Sequence, residues 1–581
     1  MARAVSGERP EPAPRGHALL FLLALLVLVL EPGRIPLFEP DEGRYAEIPR
    51  EMIASGDWVV PRLNGLLYFE KPPLHYWSVA VAMKLLGGAE WVTRLPVKLA
   101  SAGLALAAFL FARRRFGGRV GVLAGLITAT SLQVVGLARA NTIDPSLSLA
   151  LTAAVFSFVA FAEAEAEGDA RRARRALYGL HLSCAAAVML KGLIGIVLPG
   201  GAILLWALLA GRLRLVGRLF SPGPLLVFLL LTVPWHVAVS LREPSFPGFY
   251  FVNEHFNRFF RSEHKRGAPA YFFGAVLLSG LLPWTVFAGR LRAAWPGLSR
   301  AAFRERAAEA FLWSWSVLVV VFFSLSRSKL IPYVLPVWPA LAVLLALGVE
   351  RARRRGATFN GERQVLAVLF SAVALGGLVL GWGGGFVARF GVPALAAALV
   401  VAGAAAGASA CLATAMARER RTLRTADPVP ALALPWLATL LGAVLALPAV
   451  ARTVTPWPLV ERLLAELGPG DVLVQRGHFL EVPVYYTGRT TPIGDAGSSE
   501  LDFGREQAGP QSPMFPDDDA FWALWNGPRK VLVIVHRSRI PHFGPPPASE
   551  TPLHVLAVTR NGKNALLSNR PPPGGEPAPA R

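Results

Sequence analysis

Charge is scarce in this chain. Only 17% of its 581 residues are Asp, Glu, Lys or Arg, where soluble proteins carry about a quarter. Hydrophobic residues make up 53% and the mean hydropathy is +0.45. A single soluble globule is excluded, because the apolar residues come in blocks long enough to cross a bilayer, such as 18–30 and 365–386. Cysteine is nearly absent. Cys184 and Cys411 both lie inside apolar blocks, so neither a disulfide framework nor a CxxC metal site is available. Acidic residues are outnumbered, 38 against 59 Lys and Arg, leaving a formal charge of +21. Such an excess often marks nucleic-acid binding, but here the positives fall in short clusters between apolar blocks. That is the positive-inside pattern, and no nucleic-acid partner is expected. An Ala-x-Ala cleavage pattern is missing after the first apolar block, where Glu31-Pro32-Gly33-Arg34 follows instead, so that block reads as an uncleaved first span. No internal repeat of fixed period is present.

The hydropathy and charge order predict thirteen spans: 17–38, 94–112, 120–138, 144–162, 176–190, 192–210, 223–241, 271–289, 308–325, 331–349, 365–386, 393–413 and 431–450. A fourteenth apolar block, 74–86, has about 13 residues and contains Lys84. As a helix it reaches roughly 20 Å, short of a ~30 Å hydrocarbon core, and reads as a surface amphipathic helix. With it on the surface, six basic clusters (113–119, 171–175, 212–218, 290–306, 351–355 and 418–424) fall on one side, read as cytoplasmic. The N-terminus is then inside and the segment from Ala451 outside. The expected class is mainly α: a polytopic inner-membrane protein with a transmembrane region 1–450, a large first periplasmic loop 39–93, a small periplasmic α/β domain 451–568, and a disordered tail 569–581. Within the α/β domain, 456–467 reads as a helix and 471–475, 530–535 and 554–559 as buried strands.

Topology sorts the remaining polar residues. The outer side receives the first loop, with Asp41, Arg44, Tyr45, Tyr68, Glu70 and Lys71, then Asp144, Lys191, the stretch Asn253–Arg258 with His255, and Ser326–Tyr333 with Lys329. Each has a structural explanation alone. Asp41 and Asp144 suit helix N-termini, Lys71 a snorkelling lysine, Tyr68 and Tyr333 an aromatic belt, and Arg258 and Lys329 ordinary loop charges. Taken together they share one membrane face. A leaving lipid phosphate develops charge that Lys, Arg and a tyrosine hydroxyl would stabilise, and an acceptor hydroxyl needs a carboxylate base. The set therefore points to transfer from a phosphate-linked lipid.

The first-loop sequence DEGRYAEIPREMIASGDWVVPRLNGLLYFEKPPLHYW (41–77) and SRSKLIPYVLP (326–336) resemble bacterial aminoarabinose transferases acting on lipid A. These are GT-C glycosyltransferases related to protein O-mannosyltransferases, with thirteen spans and a periplasmic C-terminal domain. The resemblance implies a polyprenyl-phosphate-linked sugar donor and a lipid or glycan acceptor for a membrane-embedded monomer. It implies Asp41 at the reaction centre, Glu70 and Lys71 as a Glu-Lys-Pro-Pro phosphate motif, and Arg258 and Tyr333 as further phosphate contacts. It also implies Asp144 as a second-loop acid and Lys191 as a basic donor-site residue, with Arg44, Tyr45, Tyr68 and Lys329 completing the binding set. The family often has methionine after that acid, whereas Pro145-Ser146 stands here. A divalent metal near Glu70 and His255 is a further implication, although no compact ligand motif is present. With a phosphate acceptor Asp41 would orient the acceptor or bind the donor amine; with a hydroxyl acceptor it would be the base. The competing readings are a GT-C transferase of another sugar onto protein or glycan, and a flippase for lipid-linked sugars. Flippases tend to hold ionisable residues at the midplane of repeated halves.

Overall fold

Backbone polar groups find no partner in hydrocarbon, so spanning segments must be helical or closed barrels. A computed structural model describes residues 14–257, 268–379, 385–416, 429–495, 500–509, 511–542 and 551–572. Arg258, the basic cluster 418–424 and the tail from 573 lie outside the described residues, as does the side chain of His255. The chain is mainly helical, and a helix occupies each of the thirteen expected stretches. In chain order the first elements are α1 (Arg15–Val29), α2 (Asp41–Ser55), β1 (Arg62–Leu63), β2 (Leu66–Leu67), α3 (Leu74–Leu86) and α4 (Glu90–Phe116). They are followed by α5 (Gly118–Thr130), α6 (Leu132–Leu137), α7 (Asp144–Glu167), α8 (Ala170–Lys191) and α9 (Ile194–Ala210). Among the described residues eight helices are long and apolar enough to cross a membrane, nine with the bent pair Phe272–Gly280 and Trp284–Ala294. The shorter apolar helices α1, α5 and α9 fill three further expected spans. The protein is multi-pass.

Three spans differ in shape from expectation, each for a local reason. The first helix stops at Val29 because Pro32, Gly33 (φ 133°) and Pro36 follow at once. The third breaks at Ser131, whose backbone is extended between α5 and α6. The eighth bends by 106° at Pro283, where a missing backbone N–H interrupts the helical ladder.

Five of the six basic clusters meet at one end, where carboxylates receive them. Arg115 and Arg172 pair with Glu163, and Arg218 with Glu165. Arg119, Arg353 and Arg354 share Glu350; Arg351 pairs with Glu309 and Arg290 with Glu362. Between the two ends, aromatic rings fill the contacts of helices α7, α9 and Ala307–Leu325: Phe158 lies 4.6 Å from Phe311 and 5.5 Å from Trp206.

At the opposite end the first loop and the C-terminal domain form one body. After the helix Trp457–Glu466 come β3 (Val472–Arg476), β4 (Ile493–Gly494), β5 (Val531–His536), β6 (His554–Val558) and β7 (Asn564–Ser568). Their order is β4-β3-β5-β7-β6, with β3 parallel to β4 and β5 and the rest antiparallel. Strand β5 reads VLVIV because five successive residues are buried. Strands β4 and β7 went unread in the sequence, β4 because two residues carry no pattern. Val79, Ala82 and Met83 of α3 pack with Trp457, Val482 and Tyr485. Helix α3 therefore has one face against the C-terminal domain, as a surface helix requires.

Candidate active site

Helix α2 begins with two acids, where the helix dipole favours them, but neither side chain caps it. Glu42 is buried and gathers three segments. Its carboxylate accepts Arg94 Nε and Nη2, each at 2.7 Å, together with the backbone N–H of Phe38 at 3.0 Å and of Asn141 at 2.6 Å. Arg94 in α4 also donates to the carbonyls of Ile35 and Pro36. A buried charge so fully partnered fixes the start of α2 against the second loop; removing one partner of such a pair costs about 3–5 kcal/mol.

Asp41 remains outward, 59% exposed, 3.2 Å from Arg44. Arg44 is buried; its guanidinium donates to Tyr68 Oη at 3.0 Å and meets Glu500 of the C-terminal domain at 2.6 Å. One helical position on, Tyr45 stacks against Tyr76 (5.9 Å) and meets His75 edge-on (5.1 Å). His75 Nε2 lies 3.0 Å from Asn141 Oδ1. Burial lowers the imidazole to about 4, so it is neutral and Nε2 donates. Asn141 precedes Asp144, which opens α7 without capping it and instead pairs with Lys191 at 2.6 Å. Lys191 Nζ also lies 5.1 Å from the centre of the Tyr333 ring. Thus Asp41, Arg44, Tyr45 and Tyr68 form one cluster, and Asp144, Lys191 and Tyr333 a second, joined through His75 and Asn141. Asp41 and Asp144 both stand at the first helical position, as suits acidic residues, but neither side chain caps its helix; both spend their charge on cations.

Lys71 turns back to the carbonyl of Glu70 at 2.7 Å, with the Glu70 carboxylate at 3.7 Å. Lys329 bonds the carbonyl of Ser326 at 2.8 Å. Among the described residues no three His, Cys, Asp or Glu side chains stand close enough to hold a metal ion, so the described part of the site does not by itself supply a ligand set at Glu70.

The C-terminal domain contributes groups with no signature in the sequence. Glu39 accepts the N–H groups of Val482 (2.6 Å) and Glu481 (3.3 Å), where the helix Glu481–Thr487 starts. Burial raises both the Glu39 and Glu481 carboxyls, and the nearby Glu39 adds to the rise at Glu481. Burial lifts Glu500 to about 7, against the opposing pull of Arg44 and with Glu70, Glu481 and Asp41 adding to the rise. Asn64 and Thr491 exchange two hydrogen bonds at 2.7 and 2.8 Å. Tyr485 and Tyr486 donate to the Gly88 carbonyl and the Glu90 carboxylate.

A profile of the family described as Dolichyl-phosphate-mannose-protein mannosyltransferase matches residues 70–237, beginning at the Glu-Lys-Pro-Pro motif. Among curated proteins, undecaprenyl phosphate-alpha-4-amino-4-deoxy-L-arabinose arabinosyl transferase of Edwardsiella ictaluri is 36% identical over 373 residues. That of Pectobacterium carotovorum is 36% identical over 375 residues. These matches cover 63% and 62% of this chain, and the chain spans 65% of the length of each relative. The crystal structure of ArnT from Cupriavidus metallidurans bound to undecaprenyl phosphate superposes with a TM-score of 0.79 at 28% identity, covering 96% of this chain and 99% of that one. Its apo form gives 0.77 at 26% identity, covering 96% and 98%. The fold is that of the GT-C membrane glycosyltransferases. Within that class, the chain is similar in sequence and in fold to the aminoarabinose transferases.

Proposed function

We propose that the chain transfers 4-amino-4-deoxy-L-arabinose from undecaprenyl phosphate to a phosphate of lipid A, on the outer face of the bacterial inner membrane. The N-terminus is then cytoplasmic and the C-terminal domain periplasmic. The observation that carries the reading is the juxtaposition of Lys191, Tyr333, Arg44 and Tyr68 at the end of the spans, in a fold shared almost end to end with a protein solved with undecaprenyl phosphate. The lipid tail stays in hydrocarbon while its phosphate meets cations at the boundary. In the transfer, the bond from the sugar C1 to the carrier phosphate oxygen breaks and a bond from C1 to the acceptor oxygen forms. The electron pair leaves with the carrier phosphate, where Lys71, Lys191 and the Tyr333 hydroxyl stabilise the added charge. An ionised phosphate acceptor brings no proton to remove, so Asp41 orients the acceptor or binds the sugar ammonium. Asp144 holds Lys191 in place.

Purified chain reconstituted with the labelled undecaprenyl-linked aminosugar and lipid A should yield modified lipid A and free undecaprenyl phosphate in equal amounts. Release of label without an acceptor-linked product, or no turnover with any donor, would overturn this reading. A chelator arm in the same assay tests the divalent ion expected at Glu70 and His255: a metal-dependent site loses turnover and regains it when the ion returns.

A further inference from the structure

The junction of the last span with the C-terminal domain contains a cavity of about 360 Å³, lined by Arg452, Thr453, Trp457, Pro458, Glu461, Val558 and Arg560. Its height relative to the bilayer follows from two helices. Arg452 lies in the last turn of Val429–Val454, whose stretch Leu432–Val454 is apolar enough to span a membrane. Arg389 lies in Phe386–Phe390, just before the span that starts at Ala394. Both ends are on the side of the C-terminal domain, where headgroups replace acyl chains. The β6–β7 hairpin reaches down to this level: Arg560 in its turn donates to the carbonyl of Arg389 at 3.0 Å. The guanidiniums of Arg389 and Arg560 each lie 5.8 Å from the Phe390 ring centre. Trp457, an interfacial residue type, forms part of the wall and carries Arg34 at 4.3 Å on its ring.

The Arg452 and Arg560 side chains line the cavity and Arg389 stands beside Arg560, yet among the described residues none of the three is paired with a carboxylate. Glu461, the one carboxylate in the lining, is exposed and makes no ion pair with them. At the other end of the spans, by contrast, each cluster among the described residues has members matched to a Glu. Uncompensated arginines flanking a concave site at headgroup level suit a phosphate, which accepts paired guanidinium hydrogen bonds, with an apolar wall for the glycerol and upper acyl carbons.

We propose that this cavity binds the phosphate of an anionic lipid headgroup from the leaflet beside the C-terminal domain. The site is separate from the donor cluster. Its lipid pins the β6–β7 hairpin to the ends of two spans and so seats the domain on the first loop. Free phosphate shares the chemistry, and the test separates the two sources.

Delipidated full-length chain in detergent is titrated with phosphatidylglycerol and, separately, phosphatidylcholine, and retained lipid is counted by native mass spectrometry. Wild type should retain one phosphatidylglycerol more than the Arg452→Ala/Arg560→Ala double variant, whose affinity at that site falls about thirtyfold, each charge near a membrane surface contributing about fivefold. Phosphatidylcholine should be retained weakly and equally by both. The Arg452→Lys/Arg560→Lys variant should keep most of the binding, which separates lost charge from a damaged fold. Millimolar inorganic phosphate should leave the lipid bound. Equal phosphatidylglycerol retention by wild type and the double alanine variant would overturn the proposal. Loss of binding in the lysine variant, or full displacement by inorganic phosphate, would also overturn it.

Discussion

Glu500 and Arg44 form an ion pair across the seam between the first loop and the C-terminal domain. Burial lifts the Glu500 carboxyl from the ordinary range to about 7. Between the ordinary carboxylate range and about 7, the folded chain holds a proton that the unfolded chain has released. Stability therefore falls as pH rises through that window. Function should follow the same direction at the same group, gaining as pH falls. Above about 7 the ionised Glu500 occupies Arg44; below it, the neutral acid leaves the guanidinium charge for an anionic donor. The sugar-linked carrier is a phosphodiester and keeps one charge throughout, so the step belongs to the protein. Donor affinity should rise several-fold from pH 8 to pH 6 in the wild type. In Glu500→Gln it should stay flat, at the tighter level. Glu51, raised by burial and Glu47 to about 8, titrates nearby in the same loop, and a step that persists in Glu500→Gln would assign the effect there instead. Arg44 stands in the first-loop motif and is named from it. Its partner is not, because Glu500 lies 456 positions later in a segment with no motif, and only the docked domain brings them together.

At the scale of elements, the first loop is read as a seat for the C-terminal domain as well as a ligand loop. Gly43 of α2 shows how close the fit is: a Cβ there would stand 2.8 Å from both the backbone N of Val482 and Glu481 Cβ. Gly504 is placed likewise, 2.8 Å from the Leu67 carbonyl oxygen. In an isolated helix Gly→Ala gains about 1 kcal/mol, so intrinsic propensity and packing oppose each other here. Backbone cannot yield as a flexible side chain does, and overpacking costs about 1–3 kcal/mol. Gly43→Ala should lower the thermal midpoint and speed proteolysis near residue 455, while Gly361→Ala, in open space on its helix, should do neither. Equal behaviour of the two variants would mean that the docking is loose. Length and charge place helix α3 on the surface, and its face packs with Trp457, Val482 and Tyr485 of the C-terminal domain. The first helix ends at Val29, short of the apolar stretch, because Pro32 and Pro36, over which hydropathy averages, end a helix however apolar their neighbours.

At the scale of the whole molecule, arginine-rich connections at one end are matched by Glu163, Glu309, Glu350 and Glu362. The clusters around Arg44 and Lys191 and the C-terminal domain occupy the other end. That the basic clusters share one end was legible because they recur between spans, whereas the seam between first loop and domain depends on contacts across more than 400 residues. A reporter active only in the periplasm should be active when fused after Val450 and silent after Arg115; an active Arg115 fusion would mean that α3 crosses the membrane. The central claim is that cations from the first loop, α8 and the Tyr333 segment hold one carrier phosphate. Its most direct measure is the affinity of purified chain in nanodiscs for undecaprenyl phosphate. Lys71→Ala and Lys191→Ala should each weaken binding by about 2–4 kcal/mol, the scale of charge-assisted contacts in sequestered sites, while Asp41→Asn binds as wild type and only transfer slows. Wild-type affinity in both lysine variants would contradict the account.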